Sequence, residues 1–178
     1  MKTFKYTKAK HGSRPMIGII GGHLNNTNHD ALTLAEKVGE HLAKLGFAIV
    51  CGGEDGIMEA VCKGAKKHDG VTVAITKSND KNFRNEYIDY VIPTSLDLAF
   101  MNVLVWSSDV IIAFDGRYGT MCELGLILDI GKPLVMLGKH ELVRTDKIKT
   151  DNFVHYPEYS DESAKEAVRF VVSYFKEI

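Results

Sequence analysis

The sequence has no long apolar run and no excess of charge of either sign. No segment approaches the roughly 18 consecutive apolar residues of a membrane-spanning helix, and residues 1–14 are basic without the apolar centre of a signal peptide. Lys and Arg number 22 against 23 Asp and Glu, giving a formal net charge of -1. This balance argues against nucleic acid or an acidic membrane surface as the main partner. We expect a cytoplasmic protein.

Cysteine is also scarce, and histidine shows no ligand spacing. The three cysteines, Cys51, Cys62 and Cys122, are odd in number and lack zinc-type spacing, which argues against a disulfide framework or a zinc site. The seven histidines form no HxxxH or HExxH pair, so we expect them to be scattered over the surface, with His23 as a candidate ligand contact. No metal site and no required cofactor are predicted.

The chain instead contains short apolar runs that alternate with segments of helical spacing. The first pair is a strand at 16–20 and a helix over 31–45. Repeated alternation of this kind is typical of crossover units and a parallel sheet. We predict an N-terminal arm at 1–15 and, at 16–178, a single Rossmann-like α/β domain. Its sheet should be mostly parallel, with six to seven strands and helices on both faces. Further strands are predicted at 47–51, 71–75, 87–92, 110–114, 134–137 and 153–156. Further helices are predicted at 57–67, at about 120–130 and at 161–176. One more helix should follow a capping turn at 93–95 and end at about residue 106.

Three of the predicted strands end in loops that contain glycine. These loops are Gly21-Gly22, Gly52-Gly53 and the segment from Gly116 to Gly119. Because all strands of a parallel sheet point the same way, the loops should share the edge at which open sheets bind ligands. None contains the GxGxxG fingerprint of dinucleotide sites, and tight turns alone also select glycine. Three such loops together favour a ligand site.

The segment from Asp115 to Glu123 leads from a predicted buried strand directly into a helix. The first N–H groups of a helix have no partners and attract anions, so the junction predicts a phosphate site. Glu123 has two interpretations: with Thr120 it matches a capping box, which needs no ligand, or its carboxylate faces the sugar of a nucleotide. The predicted ligand-binding or phosphate-binding residues are Gly21, Gly22, Gly52, Gly53, Asp115, Gly116, Arg117, Tyr118, Gly119 and Thr120.

Two segments carry a resemblance to a known superfamily. The run from Gly52 to Ala65 resembles the GGGxGxMEAaxxGA segment of the "lonely guy" superfamily, and Gly116 to Glu123 resembles its PGGxGTxxE motif, followed by GKP at 131–133. The superfamily includes cytokinin riboside monophosphate phosphoribohydrolases and molybdenum cofactor carrier proteins. The similarity covers about residues 16–137 and is greatest to the small carrier-like branch. It implies a nucleotide monophosphate or the molybdenum cofactor as a possible ligand, and a homodimer or homotetramer.

The chain departs from the hydrolases at their catalytic pair. Where they carry an Arg on the helix before the central strand, this chain has Phe100 and Met101. Losing one such charge typically lowers turnover by about 100 to 1,000-fold, so a family-type hydrolase would be slow or inactive here. Asp115 and Arg117 also replace a Pro and a Gly of the motif. Arg117 either supplies the missing cation or pairs with Asp115 and points to solvent, and we favour the second interpretation because exposed ion pairs between neighbours are common.

Three functions are compatible with these features. The first is binding of a phosphorylated nucleoside or nucleotide-like cofactor at the carboxyl edge of the sheet, with hydrolase activity weak or lost. The alternative is an N-glycosidase that cleaves nucleoside 5′-monophosphates into base and ribose 5-phosphate, with Glu123 as catalytic residue and Arg117 as its cation. The third is an oligomeric scaffold whose loops are only turns.

We expect Glu54 and Asp55 to form a solvated turn, and the helix of Trp106 to pack in the core or a dimer.

Overall fold

The computed structural model describes residues 14–176, so most of the predicted N-terminal arm lies outside the described residues. All seven strands belong to one sheet and every neighbouring pair is parallel. The strands are β1 Met16–Ile20, β2 Ala48–Cys51, β3 Thr72–Thr76, β4 Tyr90–Pro93, β5 Val110–Phe114, β6 Leu134–Leu137 and β7 Phe153–Tyr156. The helices are α1 His29–Lys44, α2 Ile57–Lys66, α3 Phe100–Ser107, α4 Tyr118–Ile130 and α5 Asp161–Lys176. Short 3-10 turns lie at Leu24–Asn26, Asp97–Ala99 and Thr145–Lys147.

Helices cover both faces of the sheet. Along β5, the side chains of Val110, Ile112 and Phe114 pack with α1, α2 and α5, whereas Ile111 and Ala113 pack with α3 and α4. Because side chains alternate between the faces of a strand, a sheet covered twice needs strands that are apolar throughout. All five residues of β5 are buried accordingly. The predicted single α/β domain with a parallel sheet of six to seven strands is confirmed.

The strand order places a crossing point at the centre of the sheet. The order is β4-β3-β2-β1-β5-β6-β7. Strands β2, β3 and β4 are therefore added in turn on one side of β1, and β5, β6 and β7 are added in turn on its other side. Ile17 of β1 therefore pairs with Ile49 on one side and with Val110 on the other. In open α/β sheets, the crevice at the carboxyl ends of the two strands that flank such a point is where ligands bind.

The structure corrects the sequence predictions for the turn at 93–95 and for the histidines. The turn at 93–95 does not cap α3, because the Thr94 hydroxyl accepts the Leu96 N–H at 3.2 Å and a 3-10 turn intervenes before the helix begins. Nor are the histidines all on the surface: His140 is buried in the turn after β6, where its ring contacts the Leu137 carbonyl at 3.0 Å. Burial lowers the pKa of His140, so the ring is neutral at physiological pH.

Within residues 14–176, no helix has the length and apolar character needed to cross a membrane. The same residues contain no group of three or more His, Cys, Asp or Glu side chains that could hold a metal ion. Cys51 and Cys62 lie buried with their sulfur atoms 3.8 Å apart as free thiols, and Cys122 is exposed.

Candidate functional site

The three glycine loops meet at the carboxyl edge of the sheet through backbone hydrogen bonds. The Gly22 N–H donates to the Asp115 carbonyl at 2.8 Å, which joins the loop after β1 to the loop after β5. The Gly22 carbonyl accepts the Ile57 N–H at 3.1 Å, which joins the same loop to the start of α2. A Cβ added at Gly56 would lie only 2.5 Å from the Gly22 carbonyl oxygen, so the close packing of these loops leaves no room for one. The loop after β1 is thus fixed to both of its neighbours.

A cavity of about 230 Å³ lies at this meeting point. Its apolar wall includes Met58, Phe100 and Met101. The charged residues Lys77 and Glu54 also line it. The predicted residues on its lining are Gly21, Gly22, Gly52, Arg117, Gly119, Thr120 and Glu123. Gly53, Asp115, Gly116 and Tyr118 do not line this cavity. Whether these residues bind a ligand stays a prediction.

The glycines differ in why the chain needs them. Gly53 has φ of +79° and a Cβ there would lie 2.7 Å from the Ala74 Cβ, so its backbone and packing both require glycine. A Cβ on Gly116 would lie 2.1 Å from the Thr120 hydroxyl oxygen. At Gly119, however, the nearest atom to an added Cβ is Met101 Cε at 3.8 Å, an ordinary contact. Packing therefore explains Gly53 and Gly116 but not Gly119, which lines the cavity.

The start of α4 is open toward this cavity. The helix begins at Tyr118 after Arg117 as N-cap, and no side chain caps it. The capping-box interpretation of Thr120 and Glu123 is therefore wrong: Thr120 is already the third helical residue, with its side chain against Gly116. By contrast, the start of α1 is capped, because the Asn28 side chain accepts the Ala31 N–H at 2.7 Å. No side chain caps α4 in this way, so its first N–H groups are available to an anion.

Glu123 lies one turn into α4 and is 8% exposed. Within the described part of the chain its carboxyl makes no hydrogen bond or ion pair, and it lines the cavity. Burial, with a smaller contribution from the negative charge of Glu54, raises the pKa of the Glu123 carboxyl to about 8. At neutral pH the group is consequently protonated and can donate as well as accept a hydrogen bond.

Glu54 is not part of a solvated turn, which corrects the sequence expectation for that residue. Its side chain is 16% exposed and lies 2.7 Å from the Lys77 ammonium and 3.5 Å from His23 Nε2. Asp55 does fit the expectation, since its side chain is 49% exposed, and it contacts His23 Nδ1 at 2.8 Å. Sequence reasoning missed Lys77, although its position directly after buried strand β3 places it at the same sheet edge.

Arg117 does not pair with Asp115, so the pairing favoured from sequence is wrong. The Asp115 carboxylate instead accepts the backbone N–H groups of Lys139, at 3.1 Å, and of His140, together with the Tyr159 hydroxyl. These donors satisfy the carboxylate from loops far away in sequence. The Arg117 side chain pairs with Asn26 instead, and its Nη1 donates to Asn26 Oδ1 at 3.2 Å. It remains a cation on the cavity lining.

The aromatic residues of α3 divide between the core and the surface. Phe100 is buried and contributes to the cavity wall, whereas Trp106 is 52% exposed. The Lys132 ammonium lies 5.7 Å from the centre of the Trp106 ring and donates to the Ser108 carbonyl. The lysine of the GKP segment therefore stabilises the end of α3, away from the cavity.

An open parallel sheet with helices on both faces and a cavity at its crossing point places the chain in the class of Rossmann-like α/β domains. More specifically, the chain belongs to the SLOG cluster4 family, whose model matches residues 14–166. It is 36% identical to an uncharacterized protein of Archaeoglobus fulgidus over 121 residues, which are 68% of this chain and 78% of that protein.

Two solved structures have the same fold over nearly their whole length. The molybdenum cofactor binding protein from Rippkaea orientalis is 28% identical with a TM-score of 0.80, covering 90% of this chain and 99% of that one. The Moco carrier protein from Chlamydomonas reinhardtii is 25% identical with a TM-score of 0.82, covering 93% of this chain and 100% of that one. The sequence-based resemblance to the carrier-like branch is confirmed.

Proposed function

We propose that this protein binds a phosphorylated nucleotide-like cofactor in the cavity at the carboxyl ends of β1, β2 and β5. The observation that carries the proposal is the buried Glu123 carboxyl, which lacks a partner within the described residues and faces a cavity at an uncapped helix start. No side-chain oxygen or nitrogen of the described residues is both fully buried and without a hydrogen bond, so the Glu123 oxygens are accessible from the cavity. A ligand in the cavity can therefore hydrogen-bond to this carboxyl.

The phosphate of the ligand would lie at the start of α4. Gly119 leaves the approach to the first N–H groups free of a side chain, and Arg117 adds a positive charge beside them. An anion at a helix start is typically stabilised by about 0.3 to 1 kcal/mol when exposed and up to about 2 kcal/mol when partly buried. Because Glu123 is protonated at neutral pH, it does not repel the phosphate.

The molybdenum cofactor is the first ligand to test. Two proteins of the same fold, from Rippkaea orientalis and Chlamydomonas reinhardtii, are described as binding or carrying it. The residues of this cavity fit a phosphorylated ring compound in general terms: a helix start for the phosphate, apolar side chains for the ring, and carboxyl groups for ring N–H donors. Homodimer or homotetramer formation stays part of the proposal, supported by the exposure of Trp106 on α3.

Isothermal titration calorimetry tests the proposal with the molybdenum cofactor, AMP and GMP. Adenosine and guanosine serve as matched ligands that lack only the phosphate. We expect at least one phosphorylated ligand to bind, and the nucleosides to bind about tenfold more weakly, equivalent to about 1.4 kcal/mol. Absence of heat with all three phosphorylated ligands would refute the proposal.

A second candidate is an N-glycosidase that cleaves nucleoside monophosphates, again with Glu123 as the catalytic residue. It is favoured by the presence of a protonated Glu123 and the Arg117 cation on one cavity, since a positioned acid can protonate a leaving base. Phe100 and Met101 form an apolar wall instead of supplying the catalytic Arg of the hydrolases. Chromatography of AMP incubations tests this activity. Adenine release no greater than that of Glu123→Gln would eliminate it.

A further inference from the structure

A second cavity adjoins the first at Arg117 and Asn26. Its volume is about 640 Å³, against about 230 Å³ for the first. The two cavities share the side chains of Arg117 and Asn26, which are joined by the hydrogen bond of 3.2 Å between them. The first cavity alone is smaller than the roughly 300 to 1,000 Å³ of a typical small-molecule site, and the second extends it into that range.

The charges of the second cavity differ from those expected for another phosphate site. Asp30, Glu141 and Glu158 contribute three carboxylates to its lining, which outnumber the single ammonium of Lys139 there. The carboxylate of Asp115 is already held by its own donors. Carboxylates repel a phosphate but accept hydrogen bonds from hydroxyl and amino groups. Tyr118, which is 68% exposed, adds an aromatic side chain to the same lining. The second cavity therefore suits an uncharged group that is rich in donors, such as a nucleoside.

The start of α1 is less suited to a diphosphate than the start of α4. In dinucleotide-binding Rossmann domains the pyrophosphate rests on the helix that follows the first strand. Here the Asn28 side chain already accepts one of the N–H groups at that position, that of Ala31. The uncapped start of α4 and the guanidinium of Arg117 lie between the two cavities and offer the alternative.

We propose that the site takes a dinucleotide-type ligand, with one half in each cavity and the diphosphate across Arg117. This inference rests on the proposed function, which requires only the first cavity. The half in the second cavity is a nucleoside without further phosphate, held by the acidic side chains and Tyr118. The missing GxGxxG fingerprint agrees with this arrangement, because the phosphates do not use the loop after β1.

Two matched ligand series test the proposal by calorimetry: AMP, ADP and diadenosine 5′,5′-diphosphate, and the corresponding guanine compounds. We expect the dinucleotide of at least one series to bind about tenfold or more tightly than its monophosphate, whereas the diphosphate gains less than threefold. An equal gain with ADP or GDP would overturn the inference, since the second phosphate would then explain it. Binding of a monophosphate or of the molybdenum cofactor without any dinucleotide gain would overturn it too, but would leave the proposed function standing. Absence of binding by every ligand would refute both.

Glu158→Trp tests the second cavity directly. Glu158 is exposed and lines only this cavity of the two, so the indole should fill space there without disturbing the first. We expect it to abolish the dinucleotide gain and to leave the affinity for AMP or GMP within twofold. Asp151→Trp, at an exposed position that lines neither cavity, is the control and should change nothing. If Glu158→Trp keeps the dinucleotide gain, or weakens the mononucleotide equally, the proposed placement is wrong.

Discussion

Replacing Gly119 by alanine should stabilise the fold and weaken ligand binding. The added Cβ has Met101 Cε as its nearest neighbour, at 3.8 Å, so it fits without displacing any atom. Alanine is favoured over glycine by about 0.8 to 1.0 kcal/mol in a helix interior, and by less in a first turn. We expect the free energy of unfolding to rise by about 0.5 kcal/mol. The same methyl group enters the cavity beside the helix start and should lower the affinity for a phosphorylated ligand about tenfold, or about 1.4 kcal/mol.

Gly125→Ala is the matched control because Gly125 lies in the same helix, is exposed, and has nothing within 4 Å of an added Cβ. It should raise stability by a similar or larger amount and leave binding unchanged. Urea denaturation and calorimetry with the best-binding ligand measure the two effects separately. If Gly119→Ala stabilises the protein but binds normally, the loop is only a turn and the scaffold hypothesis gains support. If Gly119→Ala destabilises the protein, the Cβ at this position has less room than the structure indicates.

Three further predictions concern pH, packing and assembly. The pKa of Glu123 is about 8 in the folded state against 4.5 for the free side chain, so the folded state binds more protons and its stability should fall as pH rises from about 4.5 to 8. The Glu123→Gln variant should show a weaker pH dependence, with a slope reduced by up to about 1.4 kcal/mol per pH unit. Urea denaturation curves at pH 5 and pH 8 measure this difference. Gly116→Ala should destabilise the protein by about 1 to 3 kcal/mol, because its Cβ would meet the Thr120 hydroxyl, and a normal melting temperature would contradict the packing described. Trp106→Glu should lower the molar mass measured by light scattering if the exposed face of α3 forms the predicted oligomer, and an unchanged mass would exclude that face.

The sequence predicted the sheet well because its strands are marked by short, mostly apolar runs. β5, β6 and β7 have the predicted bounds, at 110–114, 134–137 and 153–156. Helix starts were predicted less well, since a pattern such as Thr120 to Glu123 matches a capping box wherever it falls within a helix. The backbone turns into α4 before Thr120, at Arg117, and local spacing does not show this.

The side-chain partners of the site could not be read from sequence neighbours. Asp115 and Arg117 are two residues apart, yet Asp115 is held by donors 24 to 44 residues further along the chain. Lys77 lies in a polar segment without periodicity, and only the sheet brings it to Glu54. The position of a cation depends on tertiary structure, whereas the glycines that mark the same edge are visible in the sequence.

The two backbone hydrogen bonds of Gly22 have a consequence for the energetics of ligand capture. With the Gly22 N–H on the Asp115 carbonyl and the Gly22 carbonyl on the Ile57 N–H, the loop after β1 cannot shift without breaking a bond to the loop after β5 or to α2. The three loops are therefore preorganised, and a ligand that binds among them loses little conformational entropy in ordering them. Slow amide exchange at Gly22 and Ile57 in the unliganded protein, unchanged on binding, would be the signature of such a rigid receptor.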